Sequence, residues 1–96
     1  MARFIVICDW TDQGIKNVTQ TVDRVGAARQ VFEKAGAKMT EFFWCLGGHD
    51  CVIIAEAPDA ETITAVALSI GKLGNVRTKT LRAFNEAEMR QILKKV

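Results

Sequence analysis

The sequence predicts an α+β protein: a ferredoxin-like βαββαβ arrangement with a C-terminal helix, built on a four-stranded antiparallel sheet of the dimeric α/β-barrel kind. Three observations carry that prediction. Apolar residues recur with a period of two or of 3.6 in the order strand, helix, strand, strand, helix, strand, helix. The two consecutive strands flank Gly47-Gly48-His49-Asp50, a hairpin signal. Right-handed crossovers in two βαβ halves then give the strand order 4-1-3-2 with both long helices on one face. At 96 residues the chain suits one domain, 1–96, with a single core.

Arg3 to Trp10 carries apolar side chains in both directions, which predicts a central strand. Thr11 or Asp12 can cap the short stretch TDQGIKN, where Gly14 weakens the helix and favours a kink. From Thr21, the spacing of Val22, Val25, Ala28, Phe32 and Ala35 predicts a long helix, and Gly36 suits its left-handed end. Lys38 to Gly47 and Asp50 to Ala57 form the hairpin. With Gly48-His49 as a two-residue type II′ loop, Trp44 opposes Ile53, Leu46 opposes Cys51, and Glu41 opposes Glu56, a like-charge pair that needs a nearby cation.

Pro58 stops the second hairpin strand and Asp59 can cap the next helix, whose stripe is Ile63, Val66, Ala67, Ile70 and Leu73, ending at Gly74. Val76 to Phe84 alternates, with Val76, Thr78, Thr80, Arg82 and Phe84 facing one way and Arg77, Lys79, Leu81 and Ala83 the other, and reads as a polar edge strand. Asn85 and Glu88 have the spacing of a capping box, and the last helix turns Met89, Ile92, Leu93 and Val96 inward. Two or three helices cannot cover both faces of a sheet whose first three strands are apolar in both directions. The expected remedy is a homo-oligomer joined through the bare face.

A net charge of +2 gives no broad electrostatic footprint for nucleic acid. No apolar run reaches the ~18 residues of a membrane span, and the first ten residues lack the features of a signal peptide, so the expected location is cytoplasmic. Cys8, Cys45 and Cys51 are odd in number, sit in apolar runs and lack CxxC spacing. They read as buried reduced thiols, with no metal site and no cofactor implied.

Taken in order, TDQGIKN at 11–17, LGGHDCVIIAEAPD at 46–59 and GNVRTKTLRAF at 74–84 resemble the GYD-domain family of small bacterial proteins. The signature Gly-Tyr-Asp reads Gly48-His49-Asp50 here, with an imidazole where the family has a phenol. The resemblance implies a dimeric α/β-barrel fold and oligomers, but no established reaction.

His49 with Asp50 is the candidate catalytic pair, a carboxylate orienting an imidazole for acid-base work. The competing reading makes both turn residues. Trp44 and Trp10 are candidate ligand-binding aromatics, against a reading as core or interface filler. Arg77, Lys79 and Arg82 are candidate anion ligands, against a reading as edge-strand protection. Two functions follow. The chain is a small-molecule-binding homo-oligomer that uses its open sheet face. Alternatively, it is a cofactor-independent barrel enzyme acting on a small hydrophobic or carbonyl compound, with His49 as acid or base.

Overall fold

A computed structural model describes residues 1–96. The strand apolar on both faces, β1 (Ala2–Trp10), is central. It pairs antiparallel with β3 (Cys51–Ala57) on one side and β4 (Val76–Ala83) on the other, while β2 (Lys38–Trp44) pairs with β3 at the far edge. The order β2-β3-β1-β4 is the ferredoxin-like arrangement that the sequence predicts.

The helix boundaries follow local chemistry. Thr11 Oγ1 accepts from the Gly14 amide at the start of α1 (Asp12–Lys16), and a 3₁₀ turn (Val18–Gln20) leads into α2 (Thr21–Lys34). Gly36 and Gly74, at φ +80° and +87°, end the two long helices in the left-handed region where a Cβ is disfavoured. Asp59 Oδ1 accepts from the Thr62 amide at 2.8 Å to start α3 (Ala60–Gly71). Asn85 and Glu88 close a capping box on α4 (Glu86–Leu93), each side chain taking the other's amide.

One sheet face carries the core. Phe4, Val6 and Cys8 of β1, with Ile53, Ala55 and Ala57 of β3, are buried beneath Phe32 of α2 and Ile63 and Val66 of α3. Facing away from the helices are Ile5 and Ile7, Val52 and Ile54, flanked by Phe43 at 51% exposure and Leu81 at 47%. The bare face expected from the sequence is therefore present.

Three expectations are corrected. The hairpin register differs: Trp44 opposes Cys51 and Phe42 opposes Ile53, and a Cys45 amide to Asp50 carbonyl bond of 2.8 Å closes a four-residue loop, 46–49. The positive φ falls on Gly47, not Gly48. The reason lies on β1. Asp50 is fastened there twice, by its amide to the Cys8 carbonyl and by its carboxylate to the Trp10 amide, so β3 starts where β1 requires. The slip is by two residues, which preserves the face assignments from Glu41 to Trp44 and along β3. Through a bulge at Thr40, Glu41 comes to oppose Ile54, and Glu56 lies between Lys38 and Arg3 rather than facing a like charge.

The second correction concerns α4. Its stripe does not turn inward: Met89, Leu93 and Val96 are exposed and only Ile92 is half-buried. Glu88 ties the first turn to Arg3 and Arg82 at the end of the sheet, and the helix lies across neither face. The third is Cys45, which the edge strand and the longer loop leave exposed, so that only Cys8 and Cys51 are buried. A smaller shift affects α2, where Val22 points to solvent and Val25, Ala28 and Val31 face the core.

Candidate functional site

The expected dyad is rearranged. His49 Nδ1 lies 3.0 Å from Asp9 Oδ1, whereas the Asp50 carboxylate accepts the Trp10 amide at 2.8 Å. Asp9, next to last in β1, lies on the open-face side, and the four-residue loop swings the imidazole over it. Adjacent positions along a strand project to opposite sides, so Asp50 is poorly placed to orient His49. Asp9, opposite Arg77 on β4, takes that part. Both groups of the pair are partly exposed. In water such a pair is worth at most about 1 kcal/mol, so its value is positional rather than stabilising.

The three candidate cations do not converge. Arg77 and Lys79 share the open face, while Arg82 sits on the other. The Arg82 guanidinium stands 4.5 Å from the Phe84 ring centroid and 5.7 Å from that of Phe4, and it reaches Glu88 at 3.4 Å. The Asn85 amide, ahead of Arg82, holds the Glu88 carboxyl below its usual range. Arg82 thus fastens α4 to the sheet. The two tryptophans lie on the helix side. Trp44 donates its indole N–H to Thr21 Oγ1 at 3.0 Å and meets Phe42 edge-on at 4.8 Å. Trp10 pairs with Val76 across β1 and β4.

A feature that the sequence reasoning missed lies beside Trp10. Between α2, α3 and the covered sheet face is an apolar cavity of about 120 Å³. It exists because alanines (Ala27, Ala28 and Ala67) line it where two packed helices would carry larger side chains. The signal was present as Ala28 and Ala67 on inward helix positions, with the exposed Ala27 at the margin. Cys8 and Cys51, directly opposed across β1 and β3, also line it. Burial above all pushes the Cys8 thiol up to about 12 and that of Cys51 up to about 11. Both are thiols rather than thiolates at neutral pH and are poor nucleophiles.

Comparison with known proteins fits this picture. The GYD domain matches residues 4–93, nearly the whole chain. The chain belongs to the GYD family. Its His49 occupies the tripeptide Gly48-His49-Asp50, within the loop that carries the imidazole to Asp9. Among curated proteins, the chain is 32% identical over 90 residues to a "Glutamine synthetase and cystathionine beta-lyase binding protein" of Thermus thermophilus, covering 93% of this chain and 95% of that one. Among solved structures it resembles TTHA0845 of the same organism, with a TM-score of 0.58 at 24% identity over 88% of this chain and 95% of that one. It also resembles MtbAldR, with a TM-score of 0.67 at 9% identity. That match spans 88% of this GYD chain but 54% of MtbAldR. Both structural likenesses concern the fold.

Two of the family stretches noted in the sequence, 11–17 and 74–84, also meet in space. Thr11 donates its amide to the Asn75 carbonyl at 3.1 Å, and Gln13 Nε2 donates to the Leu73 carbonyl and to Asn75 Oδ1. Gly14 is pressed against the same segment: a Cβ there would stand 2.0 Å from the Asn75 carbonyl oxygen. The 11–17 turn thus clasps the segment between α3 and β4, close to Asn75 and Val76 at the cavity wall. No helix of the chain is long and apolar enough to cross a membrane.

Proposed function

We propose that the chain is a binding protein, not a catalyst, that works as a homo-oligomer joined through its open sheet face and acts on partner enzymes in the cytoplasm. The observation that carries the proposal is the uncovered apolar centre of the sheet, formed by Ile5, Ile7, Val52, Ile54, Phe43 and Leu81. Burying each large side chain is worth roughly 1.5–3 kcal/mol, and α4 does not cover them. The edges favour a second copy. Lys79 flanks the apolar centre on the β4 edge and Glu41 on the β2 edge. A two-fold axis along the strands would lay each Lys79 edge over the Glu41 edge of the other copy.

The sequence reading assigned this face to a ligand. We assign it to assembly, because apolar sheet faces pack with interdigitated side chains and leave little room. Partner enzymes enter from the name of the Thermus relative, whose identity to this chain runs over almost its full length. Sedimentation equilibrium tests the assembly. The expected result is a multiple of the 10.6 kDa chain mass, with Ile7→Asp reduced to the monomer while keeping its helical circular dichroism. A monomeric wild-type protein at micromolar concentration would sink the proposal.

One observation favours a second reading, a cofactor-independent barrel enzyme: the 3.0 Å contact between His49 and Asp9 supplies an oriented imidazole. Turnover of small carbonyl compounds that disappears in both His49→Ala and Asp9→Asn would select it over the first.

A further inference from the structure

The cavity between α2, α3 and the sheet is built like a ligand site. Of its 21 lining residues 17 are hydrophobic, and of the other four (Thr21, Arg24, Asn75 and Thr78) only Arg24 is charged. Arg24 Nη2 donates to the Gly14 carbonyl at 3.1 Å, which holds the guanidinium plane in place. Its Nη1 is shut off from solvent and has no hydrogen-bond partner. None of the ion pairs of the chain involves Arg24. A buried guanidinium nitrogen without an acceptor is unfavourable, and an acceptor with charge relieves it best.

We infer that this cavity binds a small apolar carboxylate, its hydrocarbon body among the alanines of α2 and α3 and its carboxylate paired with the Arg24 guanidinium, whose side chain turns to present Nη1 to it. Size and polarity set the class. About 120 Å³ is close to the roughly 150 Å³ of an engineered apolar cavity that holds benzene, which admits a branched or aromatic body of about four to six carbons. A neutral hydrocarbon would fill the space but leave the guanidinium unpaired, and an acid with a second charged group would bury that charge among apolar walls. A monocarboxylate with one compact body meets both requirements. Trp10, in the wall, makes occupancy visible by fluorescence.

The inference goes beyond the proposed assembly and does not depend on it, since the cavity lies on the helix side of the sheet, away from the open face. The experiment is a titration of the full chain with 4-methylpentanoate and with its amide, read by calorimetry and by tryptophan emission. The acid should bind saturably, one per chain, and roughly tenfold or more tighter than the amide, as a charge-assisted hydrogen bond implies. Arg24→Gln should bring the acid down to the level of the amide while leaving the amide unchanged. Arg24→Lys should fall between, because an ammonium supplies charge without the planar fork. Should Arg24→Gln fail to fold, Arg24→Lys and the cavity-filling Ala67→Leu decide. Ala67→Leu must weaken acid and amide together at an unchanged oligomeric state. Equal binding of acid and amide, full retention of acid binding in Arg24→Gln, or no saturable binding of either ligand would overturn the inference. Because Ile7→Asp leaves the cavity intact, the monomeric variant should bind the acid as the wild type does. Loss of assembly and loss of binding are thereby told apart.

Discussion

Replacing Gly14 with alanine sets two physical effects of opposite sign against each other at one residue. By helix propensity alone, alanine within α1 should stabilise the protein by about 1 kcal/mol. The packing says the reverse. The added methyl would lie 2.0 Å from the Asn75 carbonyl oxygen and 2.9 Å from its carbon, so α1 must retreat by about 1.5 Å to reach ordinary contact. The atoms it meets are backbone, which cannot rotate away. Retreat also strains the bonds across the same gap, from the Thr11 amide to Asn75 and from Gln13 to Leu73 and Asn75. Three such bonds, at a net 0.5–1.5 kcal/mol each, make about 1.5–4.5 kcal/mol, of which propensity returns about 1. The expected change is a destabilisation of roughly 0.5–3.5 kcal/mol, read as a lowered urea midpoint with an unchanged slope. Gly26→Ala is the control, because a Cβ at that exposed helical position meets nothing within 4 Å. It should raise stability by about 0.4–1 kcal/mol. If Gly14→Ala is as stable as the wild type, or more so, the clasp between the 11–17 turn and the α3–β4 segment is not what fixes this glycine.

The cysteines give two further tests. Native protein should release one equivalent in a thiol assay, from Cys45, and three once unfolded, since Cys8 and Cys51 are buried; a native count of three would contradict their burial. Both buried thiols are held neutral by the fold. Their contribution to stability is intact below the ordinary thiol value of 9.0 and is lost as pH rises through the interval up to about 11 and 12. Chemical denaturation above pH 9 should therefore show stability falling by at most about 1.4 kcal/mol per pH unit for each thiol, a slope that Cys8→Ala reduces. An unchanged slope in that variant would assign the alkaline loss to other groups.

Most of the fold was legible because local and long-range preferences agree. Thr11, Asp59 and Asn85 cap where their side chains permit, Gly36 and Gly74 end helices as left-handed residues, and the two apolar faces of β1 put it at the centre. The hairpin register was not legible, because two preferences compete there. Turn chemistry favoured Gly48-His49 as a two-residue loop, while the bonds from Asp50 to Cys8 and Trp10 fix the start of β3 against β1. Residues forty positions apart outweigh neighbours, and no local window contains that information. The position of α4 failed for a different reason. Its amphipathic stripe was read correctly as a stripe, but periodicity identifies an apolar face without naming what it packs on.

The candidate site divides along the same line. His49 stood out as the only imidazole in a Gly-rich turn, and the structure does give it a carboxylate, yet Asp9 is one strand away and Asp50 is taken up by the Trp10 amide. Chemistry in sequence order suggested the neighbour, whereas the sheet brings in the cross-strand residue. The cavity was harder still, since it is defined by what α2 and α3 lack. An alanine at an inward position reads as helix-former and core filler alike, and only the spacing of two helices over a sheet turns Ala28 and Ala67 into a common wall. Arg24 is the exception that could have been noticed. It lies next to Val25 and three residues after Thr21, on the side of α2 that meets the sheet, where a cation needs a partner. The sheet therefore separates the two proposed tasks, with uncovered apolar side chains on one face and a walled space beside a single cation on the other. Each can be removed by a substitution that leaves the other in place.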